Sequence, residues 1–183
     1  IRTIASSTPA ERQTLFFSAT ITPQIQELTR EFLHSPVTVS VRTADTSERV
    51  DQDVVEASSK EEKMEKLLTM LGQDDFEKVL LFGETKYGVQ RLSDSLEKSG
   101  FASVAIHGNK SQSQRQRALK AFKDNNARIL VATDVAARGL DIPNVSHVIN
   151  YDQPATYEDY VHRIGRTGRG NATGKALTFI ERR

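Results

Sequence analysis

Cysteine is absent from all 183 residues, which excludes disulfide staples and thiolate metal sites and suits a reducing cytosol. Long apolar runs are absent too. Nothing approaches the ~18–20 residues of a membrane-spanning helix, and no charged-then-apolar leader opens the sequence at Ile1. A cytoplasmic protein with no membrane partner is therefore expected. An excess of either charge is also missing: 25 Lys+Arg against 24 Asp+Glu leave a net charge of +1. Such a chain does not coat nucleic acid indiscriminately, so any nucleic-acid surface must be a local patch. There is no internal repeat and no low-complexity tract. With 37% hydrophobic residues, this length allows one domain with a real core, or one domain plus a fragment.

Short apolar runs alternate with amphipathic stretches along the chain. Residues 13–17 (Gln-Thr-Leu-Phe-Phe) read as a buried strand ending at Ser18-Ala19-Thr20. Thr22 then caps a helix with Pro23 at its first position and Ile25, Leu28, Phe32 and Leu33 on its inner face. Pro36 precedes a second strand over 37–41. Residues 42–49 are polar and aperiodic, which marks a linker. Strands are then expected at 53–55, 79–82, 103–106, 129–132, 145–149 and 176–179. Helices fall between them: 60–71 with Met64, Leu67, Leu68 and Leu71 inward, about 86–98 with Val89, Leu92 and Leu96 inward, and one through Arg115, Leu119 and Phe122. Near-continuous apolar strands separated by helices predict a parallel α/β sheet covered on both faces.

Ligands of such sheets gather beyond the carboxyl ends of the strands, and the polar punctuation lies there. Gly83-Glu84-Thr85-Lys86 follows one strand, His107-Gly108-Asn109-Lys110-Ser111-Gln112 the next, and residues 133–141 a third. Their hydroxyls, glycine amides and cations suit a phosphate backbone; singly, Thr85 and Ser111 are equally helix N-caps. Residues 162–170 add three arginines, one histidine and three glycines. Arg163, Arg166 and Arg169 are spaced by three, so on one helical turn and its extension they point to roughly one side. Each guanidinium is a rigid, permanently charged fork of donors shaped for phosphate oxygens. A solvated basic helix end is the alternative.

In these residues the chain resembles the DEAD-box RNA helicases of superfamily 2. Ser18-Ala19-Thr20 is similar to their motif III. Leu80-Leu81-Phe82 with Thr85-Lys86 resembles motif IV, and Gln112-Ser113-Gln114-Arg115 its companion element. Residues 132–141 (Ala-Thr-Asp-Val-Ala-Ala-Arg-Gly-Leu-Asp) resemble motif V, and 162–169 (His-Arg-Ile-Gly-Arg-Thr-Gly-Arg) motif VI. The resemblance runs in order over almost the whole chain. His162 favours the DEAD-box branch, since DEAH-type relatives and several DNA helicases usually have glutamine there. The Gly-x-x-x-x-Gly-Lys-Thr phosphate loop and the Asp-Glu-Ala-Asp run that holds magnesium are both missing. In the family they lie on a first RecA-like lobe.

The resemblance thus implies a RecA-like C-terminal lobe over 51–183, an interlobe linker at 45–50, and at 1–44 a strand–helix–strand remnant of the first lobe. It implies that Arg166 and Arg169 reach the γ-phosphate of ATP, with His162 also in the catalytic group. Asp141 corresponds to a ribose-binding carboxylate, or is a cap before Pro143; Gly139 sits beside it in the ATP site and serves backbone geometry. Ser18, Thr20 and His162 resemble the relay between nucleotide and RNA sites, although His162 could be satisfied within its own fold. Thr85, Lys86, Gly108, Gln112, Arg115, Thr133 and Arg138 match RNA-backbone positions; Arg115 could instead pair with an acid on its own helix. Arg163 is left open between phosphate and structure. The implied cofactors are ATP and Mg²⁺, bound mainly by the absent lobe, with no metal site on this chain. The implied partners are RNA, ATP and the missing lobe. The apolar surface of 1–44 is also expected to pair with a second copy. The implied reaction is ATP-driven local strand separation, with the isolated chain inactive. The alternatives are a stand-alone RNA- or protein-binding module, or a lobe of a superfamily 2 DNA helicase.

Overall fold

The computed structural model describes residues 2–18, 21–40, 49–140, 142, 145–168 and 173–182. The chain divides into two compact units, Ile1–Arg42 and Thr43–Arg183. The first holds helices α1 (Arg2–Ser6) and α2 (Pro23–Phe32). As the sequence predicts, Pro23 opens α2 and the Thr22 hydroxyl accepts the Ile25 N–H at 3.3 Å. Arg2 Nε donates to both carboxylate oxygens of Glu31, at 2.9 and 3.0 Å.

The two strands expected around α2 are not formed: 13–17 and 37–40 make no ladder, and Val41 lies outside the described residues. A strand exists only where a neighbour completes its hydrogen bonds, and none is offered among the described residues of this unit. Leu15, Phe17, Val37 and Val39 are instead 70–90% exposed, two on each side of α2 in the sequence. Residues 41–48, which include most of the expected linker, lie outside the described residues.

In the second unit six strands form one sheet: β1 (Val50–Ala57), β2 (Val79–Phe82), β3 (Ser103–Ile106), β4 (Ile129–Ala132), β5 (His147–Asn150) and β6 (Gly174–Glu181). Their order is β1-β6-β5-β2-β4-β3, and every pair is parallel. Helices α3 (Lys60–Leu71), α4 (Lys86–Lys98), α5 (Gln112–Lys123), α6 (Asp134–Ala137) and α7 (Tyr157–Ile164) connect them. This is the expected RecA-like α/β architecture. Strand β5 starts at His147 rather than Val145, which makes an isolated bridge to Thr167.

Side chains alternate between two cores, as the period of two requires. Val79 and Leu81 of β2 pack with Leu67 and Leu71 of α3 and Val89, Leu92 and Leu96 of α4. Leu80 and Phe82 pack on the other face with Phe122 of α5, Ala136 of α6 and Ile164 of α7. Each such fully buried Leu or Phe contributes about 1.5–3 kcal/mol. The helices on both faces thereby hold every strand end, and the loops beyond them, in one frame. No described helix is long and apolar enough to cross a membrane.

Candidate functional site

All six strands run the same way, so the loops after β2, β3, β4 and β5 leave from one edge of the sheet. Helix α7 lies at that edge. Thr156 starts it: its hydroxyl accepts the Asp159 N–H at 3.0 Å and donates to Asp159 Oδ2 at 2.8 Å. The bond from Thr156, assisted by Arg138, holds the Asp159 carboxyl below the usual carboxylate range against the opposing effect of burial. The helix ends at Ile164, and Gly168 then turns the chain with φ +64°. A Cβ at Gly168 would also meet Val50 Cγ2 at 2.9 Å, so conformation and space both require glycine.

Arg163, open between two roles in the sequence, is structural. It is 2% exposed. Its Nε and Nη2 donate to Asp134 Oδ1 and Oδ2, both at 2.7 Å, a fork-on-fork pair. Nη1 donates to Asn150 Oδ1 at 3.2 Å and to the Asp152 carbonyl at 2.6 Å, and the guanidinium lies 5.0 Å over the Phe82 ring. With four bonds made inside the fold and almost no exposure, this guanidinium is withheld from solvent. Its work is to join α7 to α6 and to the end of β5.

Arg166 differs. It is half-buried, its Nη1 donates to the Leu140 carbonyl at 2.8 Å, and it lines a narrow cleft with His162, Asp134, Arg138 and Asp159. The expected alignment of arginines on one side therefore holds in part: Arg163 and Arg166 both wall this cleft, but the former is spent on internal pairs. His162, also half-buried, lies on the same wall. Arg169, Asp141 and Thr20 lie outside the described residues. Ser18 is exposed in the first unit. Gly139 has φ +73° and no atom within 4 Å of a Cβ, so geometry, not crowding, calls for glycine there.

The other expected positions are distributed along the same edge. Thr85 and Ser111 are both N-caps: the Thr85 hydroxyl accepts the Gly88 N–H at 3.0 Å, and Ser111 shares a capping box with Gln114. A capping hydroxyl spends a lone pair and keeps its own proton for another acceptor, so Thr85 remains able to donate. Lys86 follows at the start of α4, exposed, 5.1 Å from the Tyr87 ring centroid. Gly108 and Gln112 are exposed. Thr133 starts α6 without a side-chain cap bond. Arg138 ends α6 and pairs with Asp159 at 2.9 Å. Arg115 is half-buried; rather than meeting an acid of its own helix, its Nη2 donates to the Ala136 carbonyl at 3.3 Å. That bond ties α5 to α6.

Several organising residues carry no signal in the sequence. His107, 5% exposed, bonds Gln90 Oε1 through Nε2 at 3.0 Å and accepts the Asn109 N–H through Nδ1 at 3.3 Å. Burial, with Lys110 and Lys86 nearby, lowers its pKa, and the bonding pattern is that of the neutral Nε2–H tautomer. It thereby shapes the loop that presents Gly108. Asn150 and Asp152 are equally silent in the chain, and Asp134, although within the residues that resemble motif V, does not announce its pairing with Arg163 29 residues away. Among the described residues no cluster of His, Cys, Asp and Glu could hold a metal.

The comparisons with known proteins bear on this edge. Residues 59–171 match the helicase conserved C-terminal domain. The chain is similar to Escherichia coli DEAD-box protein SrmB, solved bound to regulator of ribonuclease activity A (36% identity, 72% of this chain, 78% of that chain, TM-score 0.70). It is similar to a DEAD-box protein of Methanococcus jannaschii (34% identity, 99% of this chain, 48% of that chain, TM-score 0.69). It is also similar to Saccharomyces cerevisiae Dbp5, solved bound to RNA and ADP BeF3 (27% identity, 98% of this chain, 48% of that chain, TM-score 0.83). This chain thus spans about half the length of the last two. From the parallel sheet, the motif-bearing edge and these matches together, the chain belongs to the DEAD-box RNA helicases and carries their conserved C-terminal domain.

Proposed function

We propose that residues 51–183 are the second lobe of a two-lobe, ATP-driven RNA helicase, that residues 1–44 are the end of its first lobe, and that 45–50 join them. The observation that carries this reading is the division of labour between the two described arginines of α7 and its extension. Arg163 is locked into four hydrogen bonds, whereas Arg166 lines the cleft, its Nη1 donating to the Leu140 carbonyl. Arg166, with Arg169, would stabilise charge on the γ-phosphate as the lobes close, and Asp141 beside Gly139 would hold the ribose. Phosphoryl transfer is catalysed mainly by such positioning and charge stabilisation. ATP and Mg²⁺ would rest mainly on the other lobe, whose phosphate loop this chain lacks.

RNA would lie along the loop edge on Thr85, Lys86, Gly108, Gln112, Arg115, Thr133 and Arg138, read through phosphates and 2′-hydroxyls without sequence preference. Ser18, Thr20 and His162 would couple the two sites. The exposed Leu15, Phe17, Val37 and Val39 would pack into the remainder of the first lobe, or against a second copy where that lobe is missing. A cytoplasmic protein that separates short duplexes follows from this reading.

ATP turnover of the two-lobe protein, with and without RNA, tests the proposal: RNA-stimulated hydrolysis is expected there and none from this chain alone. Turnover by the isolated chain, or indifference to RNA, would overturn it. Stimulation by DNA in place of RNA would favour a DNA-acting relative. A second reading, a lobe that docks a regulatory protein, is favoured by the SrmB structure bound to regulator of ribonuclease activity A. It predicts a protein complex that forms without nucleotide.

A further inference from the structure

At the end of β5 one residue touches three of the elements gathered at the edge. Asp152 Oδ2 accepts the Glu84 N–H at 2.8 Å, just before Thr85 and Lys86. Its Oδ1 lies 3.4 Å from Lys63 Nζ of α3, and that ammonium sits 4.1 Å from the Tyr151 ring centroid. Its backbone carbonyl takes Arg163 Nη1 at 2.6 Å. The loop is crowded against this carboxylate: a Cβ at Gly83 would stand 3.5 Å from Asp152 Oδ2 and 2.9 Å from Val89 Cγ2. The carboxylate is therefore held from one side by a cation and a ring while it holds the loop from the other.

We propose that Asp152 is a positioning residue that fastens the β2–α4 loop, residues 83–86, to the arginine helix α7. Through it the Thr85 hydroxyl and Lys86 ammonium keep a fixed distance from Arg166, so that RNA on the loop and phosphate at the arginine are registered to one frame. Strand β5 pairs with β2, placing Asn150 opposite Phe82, so the residues two beyond each strand end meet. The backbone there bonds too, Asp152 N–H donating to the Phe82 carbonyl at 3.1 Å. That backbone bond keeps the strands paired whatever the side chain. The carboxylate adds the bond that orients the loop, and Lys63 and Tyr151 keep the carboxylate from swinging away. Lys63 also lines the groove of about 850 Å³ that borders Asp152 and Arg163.

The inference rests on the loop being an RNA surface, so the test reads both matters separately. Binding of a fluorescein-labelled decauridylate to this 183-residue chain would be measured beside amide hydrogen exchange at Glu84. Asp152→Ala should weaken RNA binding by about fivefold, the loss expected when a charged hydrogen bond no longer orients its partner. It should also speed Glu84 exchange about tenfold, leaving β3 amides unchanged, because an amide without its acceptor loses protection. Asp152→Asn keeps an acceptor oxygen and should restore both to within about twofold. A purely structural Asp152 would lower the unfolding midpoint without this selective response or rescue. Unchanged Glu84 exchange in Asp152→Ala overturns the proposal, as does faster exchange with unaltered RNA affinity. If the unmodified chain binds no RNA, the RNA surface itself fails and this role falls with it, whereas the exchange data still report the tie. Should Asp152→Ala not fold, Glu84→Pro removes the donor instead, and the same weakening is expected; unaltered affinity in that variant overturns the proposal.

Discussion

Where the strands of the sheet begin, His147 and Lys78 are buried with few partners; where they end, Arg163 is buried with all three of its nitrogens engaged. His147 is 3% exposed and stacks on Phe76 with centroids 3.9 Å apart at 17°. Its Nδ1 meets Ser146 Oγ at 3.1 Å, but Nε2 has no hydrogen-bond partner, and Asp75 Oδ2 is 3.8 Å away. Lys78 donates to the Lys123 carbonyl and to Asn125 Oδ1, at 3.2 and 2.9 Å, closing the C-terminus of α5. Burial lowers the pKa of both. At one end, then, polar groups serve packing and capping. At the other a charge network centred on Arg163 joins α7 to α6 and to the end of β5, beside the cleft that Arg166 lines. The first arrangement favours neutral groups; the second favours charges.

The largest effect that can separate the two ends is loss of Arg163. Arg163→Ala leaves the Asp134 carboxylate, Asn150 Oδ1 and the Asp152 carbonyl unanswered, which should cost about 3–5 kcal/mol. In a chain of this size that is a fall of about 10 °C in the unfolding midpoint, readable by calorimetry. Arg163→Lys should recover only part, since an ammonium cannot meet a carboxylate with a fork. Equal stability of wild type and Arg163→Ala would reduce the charge network to decoration.

Next comes Gly174, at the start of β6. A Cβ there would lie 2.0 Å from Thr167 Oγ1 and 2.6 Å from Gly168 N. Gly174→Ala must displace the turn after α7, with an expected loss of about 1–3 kcal/mol in chemical denaturation, the usual range for overpacking. A neutral result would show that this turn yields freely.

Acid should act on the other end. His147 has its folded pKa lowered, by burial first and by Lys175 second, with Asp75 opposing. The unfolded chain therefore takes up the proton near the ordinary value of about 6.5 while the folded chain resists it. Stability is full above that value and declines as the pH falls below it, until the folded pKa is reached. His107, lowered by burial and by Lys110 and Lys86, acts in the same direction. Denaturation midpoints measured from pH 7.5 to 5 should fall in wild type and fall less steeply in His147→Leu. Parallel curves would assign the acid sensitivity elsewhere.

The smallest effect belongs to Arg138. It is paired with Asp159 at the surface, its side chain 62% exposed. Arg138→Ala should change stability by about 1 kcal/mol or less, as exposed ion pairs do, yet weaken RNA binding in a salt-dependent way. Unaltered RNA affinity would remove Arg138 from the proposed track.

The same contrast explains what the chain made legible. The sheet, helices α3, α4 and α5 and the inward faces of α3 and α4 follow from local apolar periodicity, and Val89, Leu92 and Leu96 are buried as expected. Thr22 and Pro23 likewise announce α2. Among the described residues, 13–17 and 37–40 form no strand because pairing is not a local property: the apolar pattern is present and no described neighbour pairs with it. At the edge, motif spacing identified the loops but not who holds them. Arg163 could not be assigned until Asp134 and Asn150, 29 and 13 residues away, met its guanidinium. Asp152 and Gly174 were silent for the same reason, since a carboxylate after a strand and a glycine before one look like ordinary turns.

In the proposed function, Arg163 holds the edge together so that Arg166 can serve a nucleotide bound by another lobe. The sharpest test of that role is RNA-stimulated ATP turnover of the two-lobe protein carrying Arg166→Ala, measured beside its unfolding midpoint. The expected loss is about 10³-fold or more in kcat, the scale of a supplied arginine in phosphoryl transfer, with little change in the midpoint. Turnover within a few fold of wild type would contradict it.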